Sequence, residues 1–310
     1  MNIVAIVAPV MGLIGLGWLA SRTGLVSRAA ADGLSEYVYS IAIPALIIST
    51  LSRPSALVEI SWSFWLAYFG GVALVWYTGM AIARRIFGRE RREAVMFGFV
   101  AGQSNTVLLG VPLILRAYGD DAAAPMFLLL AVHLPIMMTA ATLMLEGEAE
   151  ASSLAEQASR LARILLRNPI IVAMAIGLVL RASGTVPSDV AKTMLDGIGE
   201  TASVCALLAM GMALSRYGIF EEFRSGVTLS FLKLLVHPLA VWLLCFKLFQ
   251  LPAALGGVAT LFAALPSGIN GYLLSVRYKT GEIAVSSAIV TSTLLSVASL
   301  ALWLSILGPL

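Results

Sequence analysis

The chain has 310 residues, of which 59% are hydrophobic and only 12% are charged. Soluble domains carry about 25% charged residues, so this chain lacks the polar side chains to cover a globule in water. The net charge is +3, but the basic residues lie in short segments between apolar stretches, which favours orientation in a membrane over nucleic-acid binding. The composition excludes a soluble domain and predicts an all-helical, multi-pass protein of the inner (cytoplasmic) membrane, surrounded by lipid.

Ten segments are apolar enough to span a bilayer, for which about 20 residues are needed. Numbered in order, these spans are Ile3–Ala20, Leu34–Leu51, Trp62–Ala83, Ala94–Leu115, Ala123–Leu145, Ile164–Leu180, Val190–Leu214, Val227–Phe249, Ala253–Val276 and Ile283–Leu307. No Lys or Arg precedes span 1, so we expect a mature helix there and not a signal peptide. The two cysteines, Cys205 and Cys245, fall inside spans and are predicted to be small core residues, not a disulfide.

The longest connection is rich in Glu and Arg and divides the chain into halves. The predicted organisation is a first five-helix repeat (1–145), a cytoplasmic linker (146–163) and a second five-helix repeat (164–310). Because each half has an odd number of spans, a duplicated half must insert with the opposite orientation. Two sets of residues recur between the halves: Pro9, Gly17 and Gly24 as Pro169, Gly177 and Gly184, and Tyr118-Gly119-Asp120 as Thr280-Gly281-Glu282.

Basic residues are distributed unevenly between the two sets of connections. Fifteen of the 20 Lys and Arg lie after odd-numbered spans or in the turns that flank them. Cytoplasmic loops carry the excess of Lys and Arg. The odd connections, including the linker, are therefore predicted to be cytoplasmic, and both termini to lie outside.

Spans 4 and 9 are interrupted in their middles by amides, hydroxyls, glycines and a proline, over residues 102–112 and 265–272. Irregular backbone at that depth must be buried in protein or line a wet cavity, and a matched pair of interrupted spans indicates a transporter's binding site. Half-helix N-termini carry partial positive charge and suit an anionic group. The predicted substrate-binding residues are Asn105, Asn270, Gln103, Ser104, Thr106, Ser267, Gly268 and Tyr272. The alternative is that the asparagines only cap kinked helices.

Three ionisable residues lie inside spans and are candidates for a polar or coupling role: His133, His237 and Lys233. The alternatives are neutral imidazoles bonded to a neighbouring helix, and a lysine that extends to the cytoplasmic surface. No Asp or Glu falls inside a span, Asp196 and Glu200 near the start of span 7 coming closest. A relay of buried carboxylates is therefore not expected. We predict no catalytic residues, metal site or cofactor, although unwound carbonyls could hold Na⁺.

A family resemblance follows from these motifs. Asn105-Thr106-x3-Gly110-x-Pro112-Leu113 followed by Tyr118-Gly119 resembles the fourth helix of the auxin efflux carrier family, which includes the plant PIN-FORMED exporters and bacterial malonate or malate permeases. Pro266 with Asn270-x-Tyr272 resembles its ninth helix, Tyr39 to Leu46 its second, and Asn168-Pro169 the start of its sixth. The chain departs from the plant pattern at Ser104, where plant members have Pro, and at Gly268, where they have Asn.

The resemblance implies a ten-helix, five-plus-five inverted-repeat fold shared with bile acid:sodium symporters, with helices 4 and 9 unwound and crossing at the substrate site. It also implies a scaffold of helices 1, 2, 6 and 7, a moving transport domain formed by the other helices, and a homodimer. The sequence therefore predicts a secondary transporter, not an enzyme, that moves a small organic anion (a carboxylate, auxin-like or a dicarboxylate) by alternating access. The alternatives are a sodium-coupled organic anion symporter and a channel.

Overall fold

The computed structural model describes residues 3–53, 60–146, 163, 166–185, 187–215 and 222–308. Every regular element in these residues is a helix. The helices are α1 (Ile3–Arg22), α2 (Arg28–Leu51), α3 (Trp62–Arg85), α4a (Arg91–Gly102), α4b (Thr106–Tyr118), α5 (Ala123–Glu146), α6 (Pro169–Ala182), α7 (Asp189–Leu214), α8 (Phe223–Leu248), α9a (Ala253–Ala264), α9b (Asn270–Tyr278) and α10 (Glu282–Leu307).

Seven of the described helices are long and apolar enough to cross a membrane: α1, α2, α3, α5, α7, α8 and α10. Three shorter apolar helices, α4b, α6 and α9a, accompany them. The predicted start of span 6, Ile164, lies outside the described residues, as does most of the predicted linker. Regular helix α6 begins at Pro169, because Asn168 Oδ1 accepts a hydrogen bond from Ile170 N at 2.9 Å and caps the helix there.

The helices pack in two groups. The first, which we call the scaffold bundle, consists of α1, α2, α6 and α7: α1 packs along α7, α6 packs along α2, and α2 packs on α7. The second, the core bundle, consists of α3, α4a, α5, α8, α9a and α10: α3 packs on α4a and α8, α8 on α9a and α10, and α5 on α4a and α9a. Between the bundles, α4b contacts α7 and α1, and α10 contacts α1.

The two half-helices α4a and α9a form the centre of the core bundle. Every residue from Ala94 to Gly102 and from Leu255 to Ala264 is buried. A helix that is buried all round needs no polar face, which accounts for the near-absence of charge in these stretches. Their C-terminal ends, where four carbonyls each lack an intrahelical donor, therefore lie deep in the protein.

Three of the helices contain one wider, π-helical turn just before a proline. A π-helical turn at Val38–Ala42, Thr106–Gly110 or Leu232–Val236 ends two residues before Pro44, Pro112 or Pro238. Proline lacks an N–H and clashes with the carbonyl one turn earlier, so the preceding turn opens to the wider hydrogen-bond spacing. Such turns recur at functional sites, and the one in α8 contains Lys233.

Two glycines let α1 and α7 approach closely. A Cβ on Gly17 would lie 2.2 Å from Leu208 O, and a Cβ on Gly211 would lie 2.0 Å from Ile14 O. Both distances are to backbone atoms, which cannot move aside as a flexible side chain can. Small residues at such contacts are the usual basis of tight helix packing in membranes.

We expect Gly211→Ala to loosen the scaffold bundle, because the added methyl group must push the α1 backbone away. Overpacking of this kind costs about 1–3 kcal/mol, which should lower the melting temperature in detergent. Gly197→Ala in the same helix is the matched control, since nothing lies within 4 Å of its added Cβ. Equal melting temperatures for the two variants would contradict this packing.

Candidate functional site

The two interrupted spans meet at their breaks. Helix α4a ends at Gly102 and α4b begins at Thr106, while α9a ends at Ala264 and α9b begins at Asn270. Ser104 and Ser267 form an isolated antiparallel bridge, and Asn105 N donates to Pro266 O at 2.8 Å. Each unwound segment thus supplies backbone partners to the other, which stabilises both breaks in a dry interior.

The side chain of Gln103 joins the two segments a second time. Its Nε2 donates to Ser104 O at 2.8 Å, and its Oε1 accepts from Gly268 N at 2.9 Å. A Cβ on Gly268 would lie 2.5 Å from Gln103 Oε1. The Gln103 amide therefore fills the space that a side chain at position 268 would need, which explains the departure from the plant pattern there.

Ser267 faces back into the core bundle. Its Oγ donates to Val100 O at 3.0 Å on α4a, and its backbone N donates to Ser292 Oγ at 3.1 Å on α10. Its hydroxyl therefore satisfies an α4a carbonyl and is not directed at the scaffold bundle. Ser292 belongs to this network although no sequence motif singled it out.

Lys233 is fully buried and binds at the crossing. Its Nζ lies 2.7 Å from Ser104 Oγ, 2.6 Å from Ala263 O and 3.0 Å from His237 Nδ1. Three acceptors match the three N–H donors of an ammonium group, and Ala263 O belongs to the negative, C-terminal end of α9a. The hypothesis that Lys233 extends to the cytoplasmic surface is wrong, because the π-helical turn in α8 directs it inward.

Both histidines are fully buried beside this lysine. His133 Nδ1 lies 2.9 Å from Tyr68 OH, and His133 Nε2 accepts a long hydrogen bond from Ser104 N at 3.4 Å. His237 accepts from Lys233 through Nδ1, which leaves Nε2 as the protonated nitrogen, and that atom has no partner among the described residues. Tyr68 was missed by sequence reasoning, because a single tyrosine in an apolar helix carries no pattern.

Asn105 lies on the side of the crossing that faces the scaffold bundle. It is 5% exposed, and its Nδ2 lies 2.8 Å from Met210 Sδ on α7. It directly precedes α4b but makes no side-chain cap. Asn270 is the half-buried first residue of α9b, and within the described part of the chain its side chain makes no hydrogen bond. Capping is therefore not what either asparagine does in this structure.

The predicted substrate-binding set thus divides in two. Gln103, Ser104, Ser267 and Gly268 hold the breaks together through the hydrogen bonds given above. The side chains of Asn105 and Asn270 take no part in those bonds, and neither do those of Thr106, which is buried at the start of α4b, and Tyr272, which is half-buried in α9b. The second subset is the candidate for direct ligand contact.

Two helix starts and the buried Lys233 come together at this crossing. Helices α4b and α9b both begin there without a side-chain cap, so their first N–H groups carry the partial positive charge of a helix start. Lys233 adds a cationic side chain, and no Asp or Glu stands in either broken helix near the break. Among the described residues, no group of His, Cys, Asp and Glu is arranged to hold a metal ion.

The arginines that end the broken helices lie away from the crossing. Arg116 donates from Nε and Nη2 to Ala5 O on α1, at 3.2 and 3.1 Å. Arg277 stacks over Tyr278, 5.6 Å from the ring centroid. Arg116 therefore ties α4b to the scaffold bundle.

Two broken helices that cross within a bundle of apolar helices define a membrane transport protein. The chain belongs to the family described as membrane transport protein, whose model matches residues 2–304. This is the auxin efflux carrier-like family that the motifs of spans 2, 4 and 9 indicated.

Three relatives extend over nearly the whole chain. A protein of Rhizobium meliloti (strain 1021) named "Putative malonate transporter" is 27% identical over 310 residues, covering 96% of this chain and 93% of its own. An "Uncharacterized transporter" of Methanothermobacter thermautotrophicus is 24% identical, covering 96% of both chains. The "Lysosomal cholesterol signaling protein" of Mus musculus is 23% identical over 92% of this chain but only 35% of its own length.

We expect Lys233→Met to destabilise the protein. The substitution keeps an unbranched side chain, shorter by one atom, but leaves Ser104 Oγ, Ala263 O and His237 Nδ1 without their donor. An unsatisfied buried polar group costs about 1–3 kcal/mol. The melting temperature in detergent should fall. Lys247→Met is the matched control, since Lys247 is an exposed residue of the same helix. A higher melting temperature for Lys233→Met would show instead that the cation is held at a net cost in stability.

Proposed function

We propose that the protein is a secondary transporter that moves a small organic anion across the cytoplasmic membrane. The observation that carries the proposal is the crossing itself. Two uncapped helix starts and a buried lysine converge there, and no carboxylate competes with an anion. Malonate is the first candidate substrate, because the relative from Rhizobium meliloti bears that name. Asn105 and Asn270 are the proposed polar contacts.

The proposed architecture is a ten-span inverted repeat, and the crossing supports it. Ser104 pairs with Ser267, a separation close to the spacing of the residues that recur between the halves. In an inverted repeat, a residue that contacts its own repeat mate lies on the axis relating the two halves, so the proposed axis would run close to this bridge. In the recurring turns, Gly24 and Gly184 have φ of 76° and 66°, and Gly119 and Gly281 have φ of 66° and 69°.

Helix packing supports the same symmetry. In the proposed repeat, α1 is equivalent to α6 and α2 is equivalent to α7. The contact between α1 and α7 then corresponds to the contact between α6 and α2, and both contacts are extensive. In each of them a glycine allows the close approach: Gly17 against Leu208, and Gly177 against Leu51, where an added Cβ would lie 3.0 Å from Leu51 Cβ. This correspondence supports the proposal that the scaffold bundle is built from equivalent pairs.

Alternating access requires the crossing to move relative to the scaffold bundle. The hydrogen bond of Asn105 to Met210 is a weak amide–thioether bond, although α4b also packs on α7 and α1. In contrast, the bonds of Gln103, Ser104 and Ser267 stay within the core bundle and the crossing. We propose that the core bundle and crossing move together, and that substrate replaces Met210 as the partner of Asn105.

Lys233 favours transport without sodium. In transporters with broken helices, unwound carbonyls and half-helix C-termini coordinate Na⁺. Here the Lys233 ammonium lies at such an end, bonded to Ala263 O. We propose that the Lys233 amine occupies the place that a sodium ion would otherwise take.

The proposed topology places the α1–α2 connection inside and the α6–α7 connection outside. Because Lys233 is buried, it no longer counts as a loop residue. Fourteen basic residues then remain with the odd-numbered connections against five with the even-numbered ones, so the asymmetry persists. In a background without native cysteines, we expect Ser183→Cys to react with an impermeant maleimide in intact cells. Leu25→Cys, also exposed, should react only after permeabilisation. Labelling of both from outside would contradict the inverted orientation of the halves.

If Asn105 and Asn270 bind the anion, Asn105→Ala and Asn270→Ala should each weaken malonate affinity. Loss of one polar contact in a partly dry site costs about 1–3 kcal/mol, or roughly 5- to 150-fold in Kd. The measurements are calorimetric binding and uptake into proteoliposomes, in sodium and in choline buffer, with malonamide as the neutral analogue. We expect malonate to be preferred and sodium to be dispensable.

Ser267→Ala is the control, since its hydroxyl bonds to Val100 O and is directed away from the scaffold bundle. It should lower the melting temperature and leave the affinity of the folded protein unchanged. If the two asparagine variants fold and bind malonate as the wild type does, the substrate site lies elsewhere. If the wild type binds neither malonate nor any other small carboxylate, the proposed substrate class is wrong.

A further inference from the structure

A cavity of about 230 Å³ lies where α2 ends, α4b ends and α7 begins. In the proposed topology this is the outer face. Ser49, near the end of α2, and Arg53, just beyond it, provide part of the polar lining. The rest of the polar lining comes from Asp196, Glu200 and Ser203 on α7, and Leu115 of α4b also lines the cavity. The cavity is therefore bounded on one side by the scaffold bundle and on another by a broken helix of the crossing.

One face of α7 connects the cavity to the proposed substrate site. Asp196, Glu200, Ser203, Leu207 and Met210 follow one another at intervals of three or four residues, which places them on one side of a helix. The series begins in the cavity and ends at Met210, the partner of Asn105. At 1.5 Å per residue it extends about 21 Å, and buried Leu207 separates its polar outer part from the crossing.

The charged groups of the cavity form one small network. Arg53 Nη2 lies 3.5 Å from Asp196 Oδ1, with side chains 47% and 31% exposed. Ser49 Oγ also donates to Asp196 Oδ1, and Ser49 itself is buried. Asp196 therefore has a second donor that does not depend on Arg53. Glu200 makes no hydrogen bond or ion pair within the described residues.

We propose that this cavity is a second anion site, an entry site at the outer mouth of the transport path, where Arg53 exchanges Asp196 for a carboxylate of the substrate. The proposal rests on the proposed function and adds a specificity-determining residue to it. The ligand class is a small mono- or dicarboxylate.

The geometry allows this exchange at low cost. The Arg53–Asp196 pair is half-exposed and its contact is long, as is the contact of Arg53 Nη2 with Ser49 Oγ at 3.5 Å, so the pair is weak. When a substrate carboxylate takes the guanidinium, which can bind carboxylates bidentately, Asp196 keeps its hydrogen bond from Ser49. Asp196 and Glu200 limit how tightly the site holds an anion, so that the anion can pass on toward Asn105 or leave.

The test compares variants with equal charge changes inside and outside the cavity. Arg53→Gln should raise the KM for malonate presented from outside by roughly fivefold, as expected for one half-exposed ion pair. Asp196→Asn should lower it, because Arg53 loses its competitor. The controls are Lys192→Gln and Asp189→Asn, exposed residues of α7 that do not line the cavity.

Sidedness distinguishes this site from the crossing. In right-side-out vesicles the Arg53 and Asp196 variants should shift KM in opposite directions. In inside-out vesicles, where malonate enters from the cytoplasmic face, their KM should match that of the wild type, whereas Asn105→Ala should impair uptake in both preparations. If Arg53→Gln behaves as Lys192→Gln does while the wild type transports, this inference fails and the proposed function stands. A wild type that transports none of a panel of small carboxylates overturns both.

Discussion

The need to hydrogen-bond broken backbone in a dry interior governs this structure. Two helices end in the middle of the core bundle, and each end leaves carbonyl and amide groups without intrahelical partners. The opposite break supplies partners. Asn105 N donates to Pro266 O, and the Gln103 side chain bridges Ser104 O and Gly268 N. Each break therefore takes hydrogen-bond partners from the other half of the chain.

That mutual dependence also accounts for the buried lysine. The end of α9a directs carbonyls at the crossing, and a cation there is favoured by the helix dipole and by three hydrogen bonds. The π-helical turn before Pro238 brings Lys233 to this point. The Lys233 amine therefore reaches the crossing from α8, on the side of the core bundle. Asn105 and Asn270 are the proposed polar contacts at the two helix starts.

The distribution of strong and weak contacts separates what must stay together from what can move. Bonds within the crossing join backbone, amide, hydroxyl and ammonium groups at short distances. Among the described residues, side-chain hydrogen bonds from the crossing to the scaffold bundle are fewer, namely the Asn105–Met210 bond and the two bonds from Arg116 to Ala5 O, although α4b also packs against α7 and α1. A division of this kind suits a site that is exposed alternately to the two faces of a membrane, with the scaffold bundle held by close glycine contacts.

The sequence by itself determined the class of protein, the positions of both breaks and the family. These follow from composition, from span length and from motifs that are contiguous in the chain, all of which are local properties. It also identified Asn105, Asn270 and Lys233 as residues out of place in an apolar span. Whether the two halves form one inverted repeat stays a prediction that the packing supports.

Only the tertiary structure decided what each polar residue does. Gln103, Ser104 and Ser267 were expected beside Asn105 as ligand contacts, yet their hydrogen bonds turn into the crossing and hold it together. Lys233 was a candidate for a coupling role with extension to the surface as the alternative, and it reaches Ala263 O inside the protein. Tyr68, Ser292 and Met210 gave no sequence signal at all. The reason is the same in each case: a hydrogen-bond partner 25 or more residues away is fixed by how helices pack, and single residues in apolar helices carry no pattern that reveals it.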